Sequence, residues 1–164
     1  MSSDKFETSR LSGVHSQLSR MAGEWEGITR TFFEEGVVAD ESPMSGTIKP
    51  IMDGRFMLHE YKGSFGGKPF SGIAIYGYHL EHQKFQCAWV DSFHTGTSIF
   101  FSESNTTDKL FTVLGSYGEP GGTPWGWRTE IEMPNSEELF ITAYNITPDG
   151  INAGGVETRY SRKK

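Results

Sequence analysis

Ten short β-like runs, parted by turn residues and never by helices, are the feature that most narrows what this chain can become. They fall at about 24–33, 44–52, 55–63, 69–79, 84–91, 95–103, 109–117, 125–133, 138–146 and 153–162. Between them stand Asp53-Gly54, Gly66-Gly67-Lys68, the 79–83 stretch, residues 105–108 and 118–123, Pro134-Asn135-Ser136 and Pro148-Asp149-Gly150. Such clusters tolerate positive φ, or pre-set φ and end a ladder, which is hairpin chemistry. Regular spacing with no helical pattern in between predicts an antiparallel meander. A strongly twisted sheet of that many strands curls and closes, which removes its edges. The expected fold is all-β: a closed, antiparallel up-and-down barrel of about ten strands. The 20 Gly, 12 Phe, 6 Tyr and 4 Trp agree with a turn-rich β protein.

One segment has a helical period. Leu11, Val14, Leu18 and Met21 follow at steps of three, four and three, which puts them on one face. Ser9 or Ser12 would cap the start and Gly23 the end. A helix of about three turns is not stable alone in water. It is expected to dock as a plug on one end of the barrel. Residues 1–10 are read as a flexible N-terminal segment and 11–164 as a single barrel domain, since 164 residues suit one domain.

Charge and cysteine content set the partners. Lys plus Arg is 15 against 21 for Asp plus Glu, a net −6, so no basic field exists to meet nucleic acid or an anionic membrane. Cys87, the single cysteine, cannot form an internal disulfide, and the first ten residues carry no apolar signal core. No run approaches the ~18 apolar residues of a membrane span. A cytoplasmic location is expected.

A ten-strand barrel is wider than one of eight, so its interior is either packed with bulky side chains or hollow. The strand faces leave both open. One face of 55–61 carries Arg55, Met57, His59 and Tyr61; one face of 85–91 carries Phe85, Cys87, Trp89 and Asp91. Aromatic and polar residues mixed on one face suit a cavity with a few polar anchors. The candidate ligand-binding residues are His59, Tyr61, Tyr76, Trp89, Asp91, Arg128 and Tyr144. An inward Asp91 needs a partner, because a lone buried carboxylate is costly. Arg128 or His59 would serve; alternatively Asp91 caps the turn at 92–95. His59, mid-strand, is the candidate acid, base or axial haem ligand, against the simpler reading of a hydrogen-bonded histidine in the barrel wall.

The remaining polar residues read more simply. His15 is expected exposed on the helix, and His94 in or beside a turn. His79 and His82 have metal-ligand spacing but lie in a hairpin loop with no third ligand nearby. Cys87 has no neighbour to lower its pKa and is expected to pack as a small apolar residue. Residues 118–124 are Gly-rich but run into Trp125, not into a helix, so they form a hairpin loop and no phosphate cradle. Trp125 and Trp127 share a strand face, at a ligand mouth or at an interface with another subunit.

Gly23-Glu24-Trp25-Glu26-Gly27 after a short helix resembles the opening of the calycin, or lipocalin-like, superfamily of ligand-binding barrels. That resemblance implies that Trp25 plugs the closed end and that Arg162, or alternatively Arg159, packs across its indole as a cation–π contact. A second resemblance spans about 14–162. It rests on residues 18–25, Gly54-Arg55-Phe56, the 66–72 stretch, Gly77-Tyr78, Trp89-Val90-Asp91-Ser92, Thr95-Gly96 and Tyr160-Ser161-Arg162. These are similar to a bacterial family of unknown function, domain-of-unknown-function family fifteen-seventy-nine. That family pattern commonly reads Gly-Tyr-Asp where this chain has Gly77-Tyr78-His79, so no role of that Asp carries over. The resemblance implies a lipocalin-like barrel and no established activity.

The leading expectation is a barrel that holds a small, largely apolar or aromatic molecule, with no cofactor or metal and no assigned catalytic residue. The alternatives are an enzyme using Asp91 or His59 as acid or base in the same cavity, a haem-binding barrel, and a homodimer through Trp125 and Trp127.

Overall fold

The computed structural model describes residues 3–106 and 108–164. Ten antiparallel strands close into a ring among the described residues: β1 (Gly23–Glu34), β2 (Val37–Ile51), β3 (Phe56–Phe65), β4 (Lys68–His79), β5 (Lys84–Asp91), β6 (Phe100–Ser104), β7 (Phe111–Tyr117), β8 (Trp125–Asn135), β9 (Glu138–Ile146) and β10 (Asn152–Arg162). Each strand pairs with its sequence neighbour, and β1 pairs with β10, with Trp25 opposite Arg162 and Gly27 opposite Tyr160. The expected up-and-down closed barrel is the fold observed.

Two strands depart from their expected limits, each for a local reason. β2 begins at Val37, not near residue 44, because it pairs with β1 along almost its whole length around the Glu35-Gly36 turn. Asp40 and Glu41 of β2 lie on this outer ribbon, where Glu41 meets Arg30 at 2.6 Å. β6 begins at Phe100, not near residue 95, because Thr95 is held by Asp91 in the preceding loop.

The N-terminal helix is two helices, α1 (Ser3–Ser12) and α2 (Val14–Ser19), broken at Gly13. Helical structure thus starts ahead of the 11–164 boundary expected from sequence. The break also changes which face is buried. Leu11 is 70% exposed, whereas Phe6, Ser9, His15, Leu18 and Met21 are buried. His15, expected to be exposed, instead pairs with the Ser9 hydroxyl at 2.8 Å and packs edge-on against Phe6. Burial is the chief cause that lowers its pKa.

Leu18 and Met21 close one end of the barrel over Trp25, Ile48, Met57, Phe85, Phe111, Ile131, Leu139 and Tyr160. Each large side chain so buried contributes about 1.5–3 kcal/mol by leaving water. Trp25 donates its indole N–H to the Met21 carbonyl at 2.9 Å. Arg162 lies 4.4 Å over the indole, and its Nη1 donates to the Ala22 carbonyl at 2.6 Å. Of the two arginines considered, Arg162 is the one that packs on Trp25. Arg159 lies on the outer wall over Phe140, with Glu157 at 2.9 Å. No helix among the described residues is long and apolar enough to cross a membrane.

Candidate ligand-binding site

Strand tilt carries inward-facing residues across the barrel in rows. One row runs Trp25, Gly46, Tyr61, Gly72, Asp91 over β1 to β5. The next runs Ile48, His59, Ala74, Trp89, Phe100 over β2 to β6, and a third Met57, Tyr76, Cys87, Ser102 over β3 to β6. In the first row Gly46 and Gly72 alternate with larger side chains, and both glycines are required. A Cβ on Gly46 would meet the Tyr160 hydroxyl and His59, and one on Gly72 would meet the Tyr61 ring and Asp91.

With the helix-capped end filled, the opposite half keeps a cavity of about 90 Å³. Its wall includes His59, Tyr61, Tyr76, Trp89, His94 and Trp127, with aliphatic contacts from Met44, Ile141 and Val156. Two hydrogen-bond chains run along this wall. In the inner chain His59 Nδ1 pairs with the Tyr76 hydroxyl at 2.9 Å and Nε2 with the Tyr160 hydroxyl at 3.0 Å. Burial pushes the His59 pKa down to about 3 and raises those of both tyrosines. A neutral imidazole with both nitrogens engaged has none left for a haem iron or a substrate proton. His59 thus takes the simpler of its two sequence readings, a hydrogen-bonded histidine in the wall.

The outer chain is different. Trp89 donates its indole N–H to the Tyr61 hydroxyl at 2.7 Å, and Tyr61 donates to Asp91 Oδ2 at 2.9 Å. His94 Nδ1 lies 2.6 Å from the same oxygen. Asp91 Oδ1 accepts backbone N–H groups of Phe93 at 3.0 Å, of His94, and of Thr95 at 3.3 Å. Burial raises the Asp91 pKa, but the hydrogen bonds and charge of His94, with the Tyr61 hydrogen bond, outweigh it and hold the carboxyl below its ordinary value. The two sequence readings of Asp91, turn cap and inward carboxylate, are therefore both met by one side chain. Its expected partners are not. Tyr61 and His94 hold it, while Arg128 and His59 do not.

Nε2 of His94 is buried and has no partner. The ring sits among Phe93, Trp89 and Trp127, at centroid distances of 4.5, 5.4 and 5.9 Å. Trp127 stacks on Trp89 at 5.8 Å, so it faces the cavity mouth. Phe70 stacks on Phe93 at 5.4 Å and, with the loop after β5, roofs the space.

Of the sequence-predicted residues, His59, Tyr61, Tyr76 and Trp89 line the cavity, and Asp91 lies directly behind Tyr61 and His94. Arg128 and Tyr144 do not join them. They are cross-strand neighbours on the outer wall, with the guanidinium 4.6 Å over the phenol ring and Glu130 at 3.2 Å. Their neighbours Trp127, Thr129 and Ala143 take the inner positions, a parity that a mixed polar and aromatic strand does not reveal. His94 and Phe70 were not singled out from sequence. The signal for His94 was the Asp-x-x-His spacing, because an Asp that caps a turn brings residues two and three places on against its carboxylate.

The other motifs stay outside. His79 and His82 stack ring on ring at 4.0 Å, and no group of three metal-ligating side chains occurs among the described residues. Cys87 is buried in the wall, and burial pushes its thiol up to about 12, which keeps it protonated.

A redesigned β-barrel resembles the chain with a TM-score of 0.45 and 12% identity, covering 89% of this chain and 94% of that one. A protein of unknown function from the DUF3598 family of Nostoc punctiforme gives 0.41 and 10%, covering 89% of this chain and 48% of that one. A search of curated proteins finds no match. The model of the family described as "Protein of unknown function (DUF1579)" matches residues 11–162, nearly the whole barrel with its second helix, and the chain belongs to that family.

Proposed function

We propose that this barrel binds a small, largely apolar or aromatic molecule in the half away from the helices. One observation carries the reading: an internal space of about 90 Å³ walled by the rings of Tyr61, Tyr76, Trp89 and Trp127. A few convergent polar groups in an otherwise apolar wall is the usual make-up of a ligand pocket. A cytoplasmic location belongs to the same reading, supported by the single cysteine kept as a buried thiol.

Titration with one-ring aromatics and short-chain fatty acids, followed by the indole N–H signals of the four tryptophans, tests it. Saturable shifts of Trp89 and Trp127 are expected, while Trp25 at the filled end stays still. If no ligand of either class moves Trp89 or Trp127, the binding reading fails.

A second reading, an enzyme in the same cavity, is favoured by the Asp91–His94 pair alone. A carboxylate on Nδ1 orients an imidazole and leaves Nε2 to take a proton. It requires that a bound compound be converted, and that His94→Gln abolish conversion while binding persists.

A further inference from the structure

Size and charge together narrow the guest of the cavity. An apolar cavity of roughly 150 Å³ holds benzene, so the space of about 90 Å³ here holds about four heavy atoms with its wall as it stands. Hydrogen bonding does not choose among guests of that size, because the Ser102 and Thr129 hydroxyls on the wall can each donate or accept. Charge does choose. Tyr61, Phe70, Tyr76, Trp89, Trp127 and Tyr160 enclose the space, and the face of an aromatic ring is negative. Elsewhere in the protein such rings carry cations: arginines lie over Phe6, Trp25, Phe140 and Tyr144. None of those rings belongs to the cavity, whose wall contains no Lys or Arg. Directly behind Tyr61 stands Asp91, its side chain fully buried and its Oδ2 2.9 Å from the Tyr61 hydroxyl. With His94 neutral, the carboxylate is held by hydrogen-bond donors alone: three backbone N–H groups, Tyr61 and His94 Nδ1. Rings and carboxylate therefore give the interior a negative potential that no side-chain cation of the wall offsets.

We propose that the guest is a small methylated ammonium ion of about four heavy atoms, its methyl groups against Trp89 and Trp127 and its N–H donated to the Ser102 or Thr129 hydroxyl. This rests on the binding reading above and names its ligand class. Burying an ammonium is costly because its N–H donors leave water. Each methyl group removes one such donor and puts apolar surface in its place, against rings that attract the positive charge.

Calorimetry of the full chain with trimethylammonium, 2-propanol and acetate tests the proposal, at about pH 8, above the ordinary range of histidine. The three probes have the same number of heavy atoms and differ in charge. Trimethylammonium is expected to bind at least about ten-fold more tightly than 2-propanol, with acetate weakest. Asp91→Asn, which keeps an acceptor for Tyr61, should weaken trimethylammonium by at least about three-fold and leave 2-propanol within about two-fold. Should that variant fail to fold, the methyl proton signal of trimethylammonium with the wild type serves instead. It should move upfield on binding, as contact with ring faces requires. Equal or tighter binding of 2-propanol or acetate to the wild type, or an unshifted methyl signal, overturns the ammonium proposal and leaves the binding reading standing. So does an equal loss of trimethylammonium and 2-propanol in Asp91→Asn, since Asp91 would then act only as a fastening for its loop. Binding of none of the three overturns the proposal, and the titration followed at Trp89 and Trp127 then decides the binding reading by itself.

Discussion

At the scale of single residues, His59 shows how a buried polar group becomes a liability in acid. Its neutral ring bridges Tyr76 and Tyr160, and burial depresses its pKa to about 3 from an ordinary 6.5. Below about pH 6.5 the unfolded chain takes up a proton that the folded one refuses, so stability falls as pH drops from there toward about 3. The slope from one such site cannot exceed about 1.4 kcal/mol per pH unit. His15, also depressed, acts in the same direction. Asp91 adds a loss lower down, because a carboxyl held below its ordinary value surrenders its contribution as pH falls through that folded value. Urea unfolding across this interval should give a steeper pH dependence for the wild type than for His59→Gln. The variant itself costs about 1–3 kcal/mol at neutral pH through its unsatisfied tyrosine hydroxyls. Parallel pH profiles for the two proteins would show that His59 is not held neutral.

At the scale of elements, the loop after β5 is fastened to the barrel by one carboxylate. Asp91 takes three consecutive backbone N–H groups, the His94 ring and the Tyr61 hydroxyl. The strand that follows is short and makes one register pair with the next, Glu103 with Leu114, so this sector has the least ladder to resist opening. Regions with few backbone hydrogen bonds open first. Asp91→Ala should therefore raise amide exchange at Phe93, His94 and Thr95 by at least about ten-fold, with β1, β9 and β10 protected as before. Asp91→Asn, which keeps an acceptor, should fall between. Unchanged protection of those three amides in the alanine variant would mean that the roof is held by ring packing instead.

For the whole molecule, the seam between first and last strands decides whether there is an interior at all. Gly27 lies on that seam opposite Tyr160, and a Cβ there would run into the Arg159 backbone carbonyl, which has no rotamer to retreat into. Gly27→Ala must part the two strands or bend one. A loss of about 1–3 kcal/mol is expected, typical of a methyl forced into packed space. The loss should appear as one cooperative shift of the urea transition read by both Trp fluorescence and far-ultraviolet dichroism. Glu26→Ala, on the exposed face of the same strand, should change stability by less than about 0.5 kcal/mol. Equal stabilities for the two variants would show that the seam tolerates separation.

The strand count, the turns and the closure were legible along the chain, because each rests on local chemistry, whereas the packing of an arginine on Trp25 came from a family resemblance that left Arg162 and Arg159 both open. Turn residues punctuate, apolar spacing sets the period, and many twisted strands must close. What lay beyond reach was which side of each mixed strand looks inward. An interior that contains His59, Tyr61, Asp91 and Thr158 does not alternate cleanly between apolar and polar, so Arg128 and Tyr144 were as plausible from sequence as Trp127 and Ala143. Only the cross-strand register of the closed ring separates them. The same holds for His15 and His94. Each is polar and close to a chain reversal, and His15 is buried and His94 half-buried because a distant element, the barrel end or the aromatic mouth, comes to rest upon it. Sequence separation hides such contacts, and the tertiary fold alone supplies them.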